Sequence, residues 1–420
     1  MKPDDYITRS APPLLSTPTP STPTQGRLKS STLFWRIIGL ITSLILFTMY
    51  INNITMDIED TEISPSNHSI FIPFIFEFSP QHVPQVMCTV EGVDIHMPVD
   101  TGSTGTLIGA PILPNIPSTA GTPAHHFFTS SKILYVGRLV ELAMNFTGEG
   151  GSYATAKVPV LVVDKSWRCP WYDPLVDRFE CPTGPQGEQA VERDTSQITY
   201  MGIGFGRNSL KDGMPFATPR VNPLLNLCTI DGQSIQRGTM HAGYIVSREG
   251  VQVGLTPTAI REFAFTQLEP GLTWAEDSRD WAMASMCFSV NGEGRNCGNV
   301  LVDTGIAQMY IRTEKGVSMP TIVIPNPNPN GHAKMVKRVK PGTKITVGFP
   351  SLEQPAMTCS FTVGEKSAIE PNYVFPQIPN HLPYINTGRN LLFRYSIAFD
   401  AVGGRFGFRS VGNSATASVL

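Results

Sequence analysis

The 420-residue chain has no run of basic residues interleaved with aromatics, and its formal net charge is only −2. A nucleic-acid partner is therefore not expected, because a phosphate backbone is held by clustered Lys and Arg. The seven cysteines and eight histidines show no spacing suited to structural zinc, and neither a metal nor a cofactor is expected. Gly-rich turns such as SREG and NGEGRNCGN lack the following Lys and Ser/Thr of a phosphate loop. Long helical periods are few. The short basic run of Lys334, Lys337, Arg338 and Lys340 stands beside a Pro-Asn stretch and reads as a solvated loop. His125 and His126 are adjacent in a Ser/Thr/Pro-rich segment, and they read as loop residues instead of metal ligands because neighbouring side chains point apart. His96 lies in the strand before Asp100, where alternation puts it at the surface or in a polar contact.

What the chain does have is one short pattern used twice, VDTGST at Val99–Thr104 and VDTGIA at Val302–Ala307. A single Asp-Thr-Gly is an ordinary turn, since Asp accepts local backbone hydrogen bonds and Gly tolerates positive φ. Two copies, each closing an apolar strand and separated by enough chain for a complete lobe, point to one carboxylate from each half meeting at a shared site. Two carboxylates about 3 Å apart cannot both ionise cheaply, so they share a proton and titrate as a pair. One then accepts a proton from water while the other protonates or polarises a substrate carbonyl.

The first 30 residues are rich in Pro, Ser and Thr and have little to bury, so residues 1–32 are expected to be a disordered cytosolic tail. Leu33 to Ile51 is apolar apart from Arg36, and about 20 such residues span a bilayer core. Lys2, Arg9, Arg27, Lys29 and Arg36 precede or open it, whereas Asp57, Glu59, Asp60 and Glu62 follow. That bias predicts a signal anchor at 33–51 with a cytosolic N-terminus and the remainder lumenal or extracellular. A cleaved signal peptide competes, against a long n-region and no convincing small-x-small site. Residues 52–68 read as a stalk. Asn53, Asn67 and Asn145 head glycosylation sequons. Cys169 with Cys181 and Cys287 with Cys297 are plausible local clips, with connectivity open and at least one of the seven cysteines unpaired within the chain.

From Ser69 onward, short Val/Ile/Phe-rich runs separated by Gly, Pro and Asn predict an all-β, bilobal body, with an N-terminal lobe at 69–245, a C-terminal lobe at 246–410 and a flexible tail at 411–420. Both DTG loops, the preceding VMCTVEGVDIHMPVDTGST, the segment YMGIGFGR and the late TGRNLLFRYSIAFDAVGGRFGF together resemble the pepsin-like aspartic proteases over most of Ser69–Ser410. The resemblance implies Asp100 and Asp303 as catalytic aspartates, with Thr101, Gly102, Ser103, Thr304 and Gly305 supporting them and the threonines bridging the lobes. It puts Gly204 and Gly388 in loops beneath, and it implies an extended peptide substrate between the lobes cleaved by activated water.

Three departures bear on activity. Ser103 has a hydroxyl for Asp100, but the matching position after the second DTG is Ile306. The covering flap is sought at NFTGEGGSY, with Phe146 or Tyr153 in place of the usual tyrosine, and a plain turn fits that segment too. No basic prosegment is read between stalk and first strand. A membrane-anchored aspartic endopeptidase is thus the leading expectation. The alternatives are a catalytically weak or silent lumenal binding partner and an acid/base enzyme acting on a small molecule.

Overall fold

A computed structural model describes residues 68–209, 214, 216–236, 238–327 and 333–411. The expected cytosolic tail, anchor, Asn53 and Asn67, all of the stalk before His68, and the C-terminal tail after Val411 lie outside the described residues. No helix among those described is long and apolar enough to cross a membrane. The described residues belong to one compact unit.

The body is almost entirely β. Helix among the described residues is limited to one α-helical turn at Pro257–Ile260 and short 3₁₀ turns. The first lobe begins with β1 (Ile70–Pro73), β2 (Gln85–Val90), β3 (Val93–Pro98), β4 (Thr104–Gly109), β5 (Thr122–Phe128), β6 (Ile133–Thr147) and β7 (Tyr153–Arg168). Inside β2, burial alternates residue by residue, with Val86, Cys88 and Val90 inward, as a half-buried strand requires. The turn from β2 to β3 uses Glu91 and Gly92, both at positive φ, which suits a two-residue hairpin. The same device recurs in the second lobe. Ala284–Val290 turns at Asn291 and Gly292, also at positive φ, into Glu293–Leu301. Each hairpin delivers the chain to one DTG loop.

A ten-stranded sheet makes the first lobe and a seven-stranded sheet the second. A six-stranded sheet joins them, in the order β1, Gly250–Val253, Gly243–Val246, Tyr395–Asp400, Arg405–Ser410, Ala264–Gln267. Strand β1 and the late strands therefore share a sheet, and the expected lobe boundary at 245/246 falls inside one of its strands. A single apolar cluster runs from Val86, Met97 and Val99 to Phe288, Val300 and Val302 across the lobes. Phe205 stacks on Phe399 at 4.1 Å between centroids beneath the site.

Two loop readings are corrected. His125 and His126 lie in β5, paired with Val136 and Tyr135 of β6. Alternation sends His126 to full burial while His125 meets Tyr172 and Phe179 on the other face. The basic run forms a strand, Met335–Val339, against Thr321–Pro325. Arg338 is buried there because its guanidinium lies 4.1 Å from the Tyr373 ring centroid, a cation–π contact that a polarity pattern does not show. His96 is an exposed residue of β3 that touches the Phe76 ring edge-on. Disulfides join Cys169 to Cys181 and Cys287 to Cys297, and Cys88, Cys228 and Cys359 are free.

Candidate active site

Each DTG loop leaves the end of a buried hairpin and is pinned by a neighbouring parallel segment. Asp100 bridges in parallel to Gly202, and in the second lobe Val300 and Leu301 pair in parallel with Ile385 and Asn386. The two loops meet through their threonines. Thr101 Oγ1 donates to the Val302 carbonyl at 2.6 Å, and Thr304 Oγ1 donates to the Val99 carbonyl at 2.6 Å. The Thr101 amide donates to Thr304 Oγ1 and the Thr304 amide to Thr101 Oγ1, both at 3.0 Å. All four residues of this clasp are buried.

The glycines make the close approach possible. A Cβ at Gly102 would collide with the Asp303 carboxyl group, and one at Gly305 would stand 2.6 Å from Asp100 Cγ. The carboxyls themselves are within hydrogen-bonding reach of each other. Burial first, and then the neighbouring Asp303 carboxyl, holds Asp100 well above the usual carboxylate range. The pair can hold one proton between them.

The inner oxygens accept backbone amides: Gly102 donates to Asp100 Oδ1 at 2.7 Å and Gly305 to Asp303 Oδ1 at 2.8 Å. The outer oxygens differ. Ser103 Oγ donates to Asp100 Oδ2 at 3.0 Å, and the Tyr200 hydroxyl donates to the same oxygen. At Asp303 Oδ2 the donor is Asn386 Nδ2, at 2.6 Å. Asn386 thereby supplies the hydrogen bond that Ile306 cannot. Its amide is oriented by Gly388, whose backbone N–H donates to Asn386 Oδ1 at 3.1 Å.

Gly204 packs under the first loop, where a Cβ would strike the Thr101 carbonyl, and Gly388, at φ +67°, lies against Gln308 and Ile306 in the second lobe. Arg389, also buried, donates to the carbonyls of Thr304 at 3.0 Å, Gly305 at 2.9 Å and Pro80 at 3.0 Å. Neither Tyr200 nor Asn386 was singled out by sequence reasoning. The signal that marks them is a second repeat, YMGIG at Tyr200–Gly204 and YINTG at Tyr384–Gly388, which puts a tyrosine at the same offset before each supporting glycine. Tyr384 lies beside Asn386 and Asp303, and burial above all pushes its phenol up to about 12.

The NFTGEGGSY segment does not lie at the dyad. Phe146 is fully buried and pairs opposite Cys88 of β2, while Tyr153 is exposed and its amide donates to Asp231. Phe146 is inward because the alternation of β6 places it in the core beside Leu142 and Met144. Asn145 is exposed between them, its side-chain oxygen accepting from Thr155 Oγ1 at 2.7 Å. The hairpin that approaches the site is instead β5–β6. Phe128 at its tip packs on Tyr200 at 4.8 Å, and Tyr200 reaches Asp100. The hairpin's other face is covered by the disulfide-clipped segment. Phe127 and Leu134 pack with Cys169 and Tyr172, and the Cys169 amide donates to the Lys132 carbonyl at 2.7 Å.

Two β lobes, each presenting Asp-Thr-Gly and clasped through the threonines, define an architecture of the pepsin-like aspartic-protease kind. No family model and no curated protein matches the chain. Among solved structures it is similar to the aspartic proteinase of Irpex lacteus, at 13% identity and a TM-score of 0.45, over 84% of this chain and 100% of that one. It is also similar to basic 7S globulin from soybean, at 11% identity and a TM-score of 0.46, over 82% of this chain and 95% of that one. At such distance these likenesses transfer no activity.

Proposed function

We propose that the protein is an aspartic-type endopeptidase that hydrolyses peptide bonds in an extended chain lying between the lobes. The observation that carries this reading is the completeness of the dyad. Each carboxyl has an amide on its inner oxygen and a side-chain donor on its outer oxygen, despite Ile306. A water between the two carboxyls loses a proton to one of them as it attacks the peptide carbonyl, and the other carboxyl gives its proton to the carbonyl oxygen. The tetrahedral intermediate then collapses as the carboxyl that took the water's proton gives it to the leaving nitrogen and the other carboxyl takes a proton back from a hydroxyl of the intermediate, which restores the pair. The threonine clasp and glycine contacts hold the acids without reorganisation during the reaction, which is where such a site gains its rate.

The anchor at 33–51, with the N-terminus cytosolic and the body lumenal or extracellular, remains part of this proposal on the strength of the flanking charges and the exposed Asn145 sequon. The test is cleavage of a diverse peptide library by the compact unit from Ile63 onward, from about pH 3 to about pH 7. Asp100→Asn and Asp303→Asn are each expected to lower kcat/KM by about 10³-fold or more. A folded wild type that cleaves nothing sinks the reading.

A further inference from the structure

One end of the six-stranded sheet gathers three features. Across the sheet Ile70 aligns with Val253, Val253 with Tyr244, Tyr244 with Phe399, Phe399 with Phe406 and Phe406 with Thr266. Strand β1 therefore starts at the end where Tyr395–Asp400 turns into Arg405–Ser410 and where Ala264–Gln267 finishes. The chain enters the body here, at His68, whose carbonyl lies against Gly254. It leaves the sheet at Ser410, at the opposite end.

The end where the chain enters also displays apolar side chains to solvent. Leu272 is 81% exposed, Val402 55% and Trp274 42%. Leu272 and Trp274 sit on the loop that follows Gln267, and its base is paired, the Gly271 amide donating to the Asp280 carbonyl at 2.9 Å. The tip is braced from within, because the buried Asp280 carboxylate accepts the Thr273 amide at 2.7 Å and the Thr273 hydroxyl at 2.8 Å. Trp281 joins this loop to the turn of Val402. Its ring meets Trp274 edge-on at 6.4 Å, its Nε1 donates to the Ala401 carbonyl at 2.9 Å, and a Cβ on Gly404 would strike it. Buried bonds thus hold the three apolar side chains outward, as a contact surface requires.

The point of entry indicates what covers them. Residues 52–67 connect His68 to the apolar span at 33–51, and these 16 residues reach at most about 55 Å. From β1 across to Ala264–Gln267 the six strands make five spacings, about 24 Å. A bilayer holding the 33–51 span is therefore within reach of the loop, and the tether keeps it there. Trp and Leu suit the boundary between headgroups and acyl chains, where the indole keeps its N–H toward water. Glu269 and Glu276 are exposed beside the tip, so the surface fits a zwitterionic leaflet better than an anionic one. We infer that Leu272, Trp274 and Val402 form a membrane-contact face by which the body rests on a zwitterionic bilayer. This rests on the anchor within the proposed function and not on peptide cleavage. Two attachments, the tether at His68 and the loop across the sheet, then fix an orientation that a tether alone leaves free.

The full-length chain in phosphatidylcholine vesicles with brominated acyl chains tests this, since bromine quenches an indole only on contact. The emission lost in Trp274→Phe and in Trp35→Phe isolates the share of each tryptophan, Trp35 lying inside the 33–51 span. Both shares should fall by about half or more relative to unbrominated vesicles, Trp35 reporting the anchor and Trp274 the face. Leu272→Asp should restore at least about half of the lost Trp274 emission, and unchanged quenching in that variant overturns the assignment of the face. Quenched Trp35 beside unquenched Trp274 overturns the inference and keeps the anchor. No quenching of either overturns both. Trp274 quenched without Trp35 keeps the face and discards the anchor. A Trp274 shielded from brominated lipid and from aqueous acrylamide alike puts a protein partner or a second copy on this face, which also overturns the inference.

Discussion

At the scale of single residues, the site depends on what two glycines omit. A methyl group at Gly102 would occupy the space of the Asp303 carboxyl. Gly102→Ala is therefore expected to cost about 1–3 kcal/mol of stability through overpacking and to push the carboxyls apart. Urea unfolding read beside peptide cleavage checks both effects, and a stable, fully active variant would show that the loops give more than this packing suggests. The aspartates and their loops were legible in the sequence because the motif is local and occurs twice. The YINTG repeat marks the segment of Asn386, but not the role of that side chain, which arises only when Leu301 pairs with it across a parallel ladder. Nothing near Ile306 in the chain signals that a residue 80 positions on repairs its missing hydroxyl.

At the scale of elements, the β5–β6 hairpin differs from a freely hinged cover. Its outer face is packed by Tyr172 and the Cys169–Cys181 clip, and its strand β6 continues into pairing with β7 as far as Ile133 with Arg168. His126, on β5, is fully buried against Phe128 and Phe216, and its ring nitrogens have no hydrogen-bond partner among the described residues. Burial, then His125 and Arg207, lower it to about 3. The folded hairpin thus resists a charge that an opened hairpin accepts near the ordinary His value of about 6.5. Stability from neutral His126 is complete above about pH 6.5 and is lost progressively as pH falls toward the folded value. Hydrogen exchange of Thr122–Gly137, corrected for intrinsic rates, should rise relative to β2–β3 between pH 7 and pH 4, about, and His126→Phe should flatten that rise. An unchanged pH response in His126→Phe would rule the histidine out as its origin. Apolar alternation made most strands readable, and of the two readings open for NFTGEGGSY the plain turn with a core Phe146 is the one the burial of Phe146 fits, whereas the packing of Phe128 onto Tyr200 is a long-range fact that no local pattern carries.

At the scale of the whole molecule, the six-stranded sheet that joins the lobes contains a buried charge cluster. Asp400 is fully buried, with His241 Nε2 at 2.6 Å from one oxygen and Arg405 Nη2 at 2.8 Å from the other. Burial raises this carboxyl, but hydrogen bonds from His241, the Gly403 amide and Arg405 outweigh it and hold it below the usual range. Its contribution is present above the unfolded value of about 3.9 and fades as pH falls through the lower folded value. The lobes should accordingly stay joined in mild acid. Asp400→Asn leaves Arg405 without its counter-charge and is expected to cost about 3–5 kcal/mol at neutral pH in urea unfolding. A cost below about 1 kcal/mol would mean that solvent reaches the cluster.

The reciprocal contact of Gly102 with Asp303 and of Gly305 with Asp100 makes each half of the chain a casting of the other. A chimera that joined one half to the matching half of a different bilobal protein would keep its own strands and its own carboxylate. It would nonetheless present a loop shaped for an absent neighbour, so compatibility between halves is decided at a few atoms on the shared axis and not by the breadth of the surface they bury.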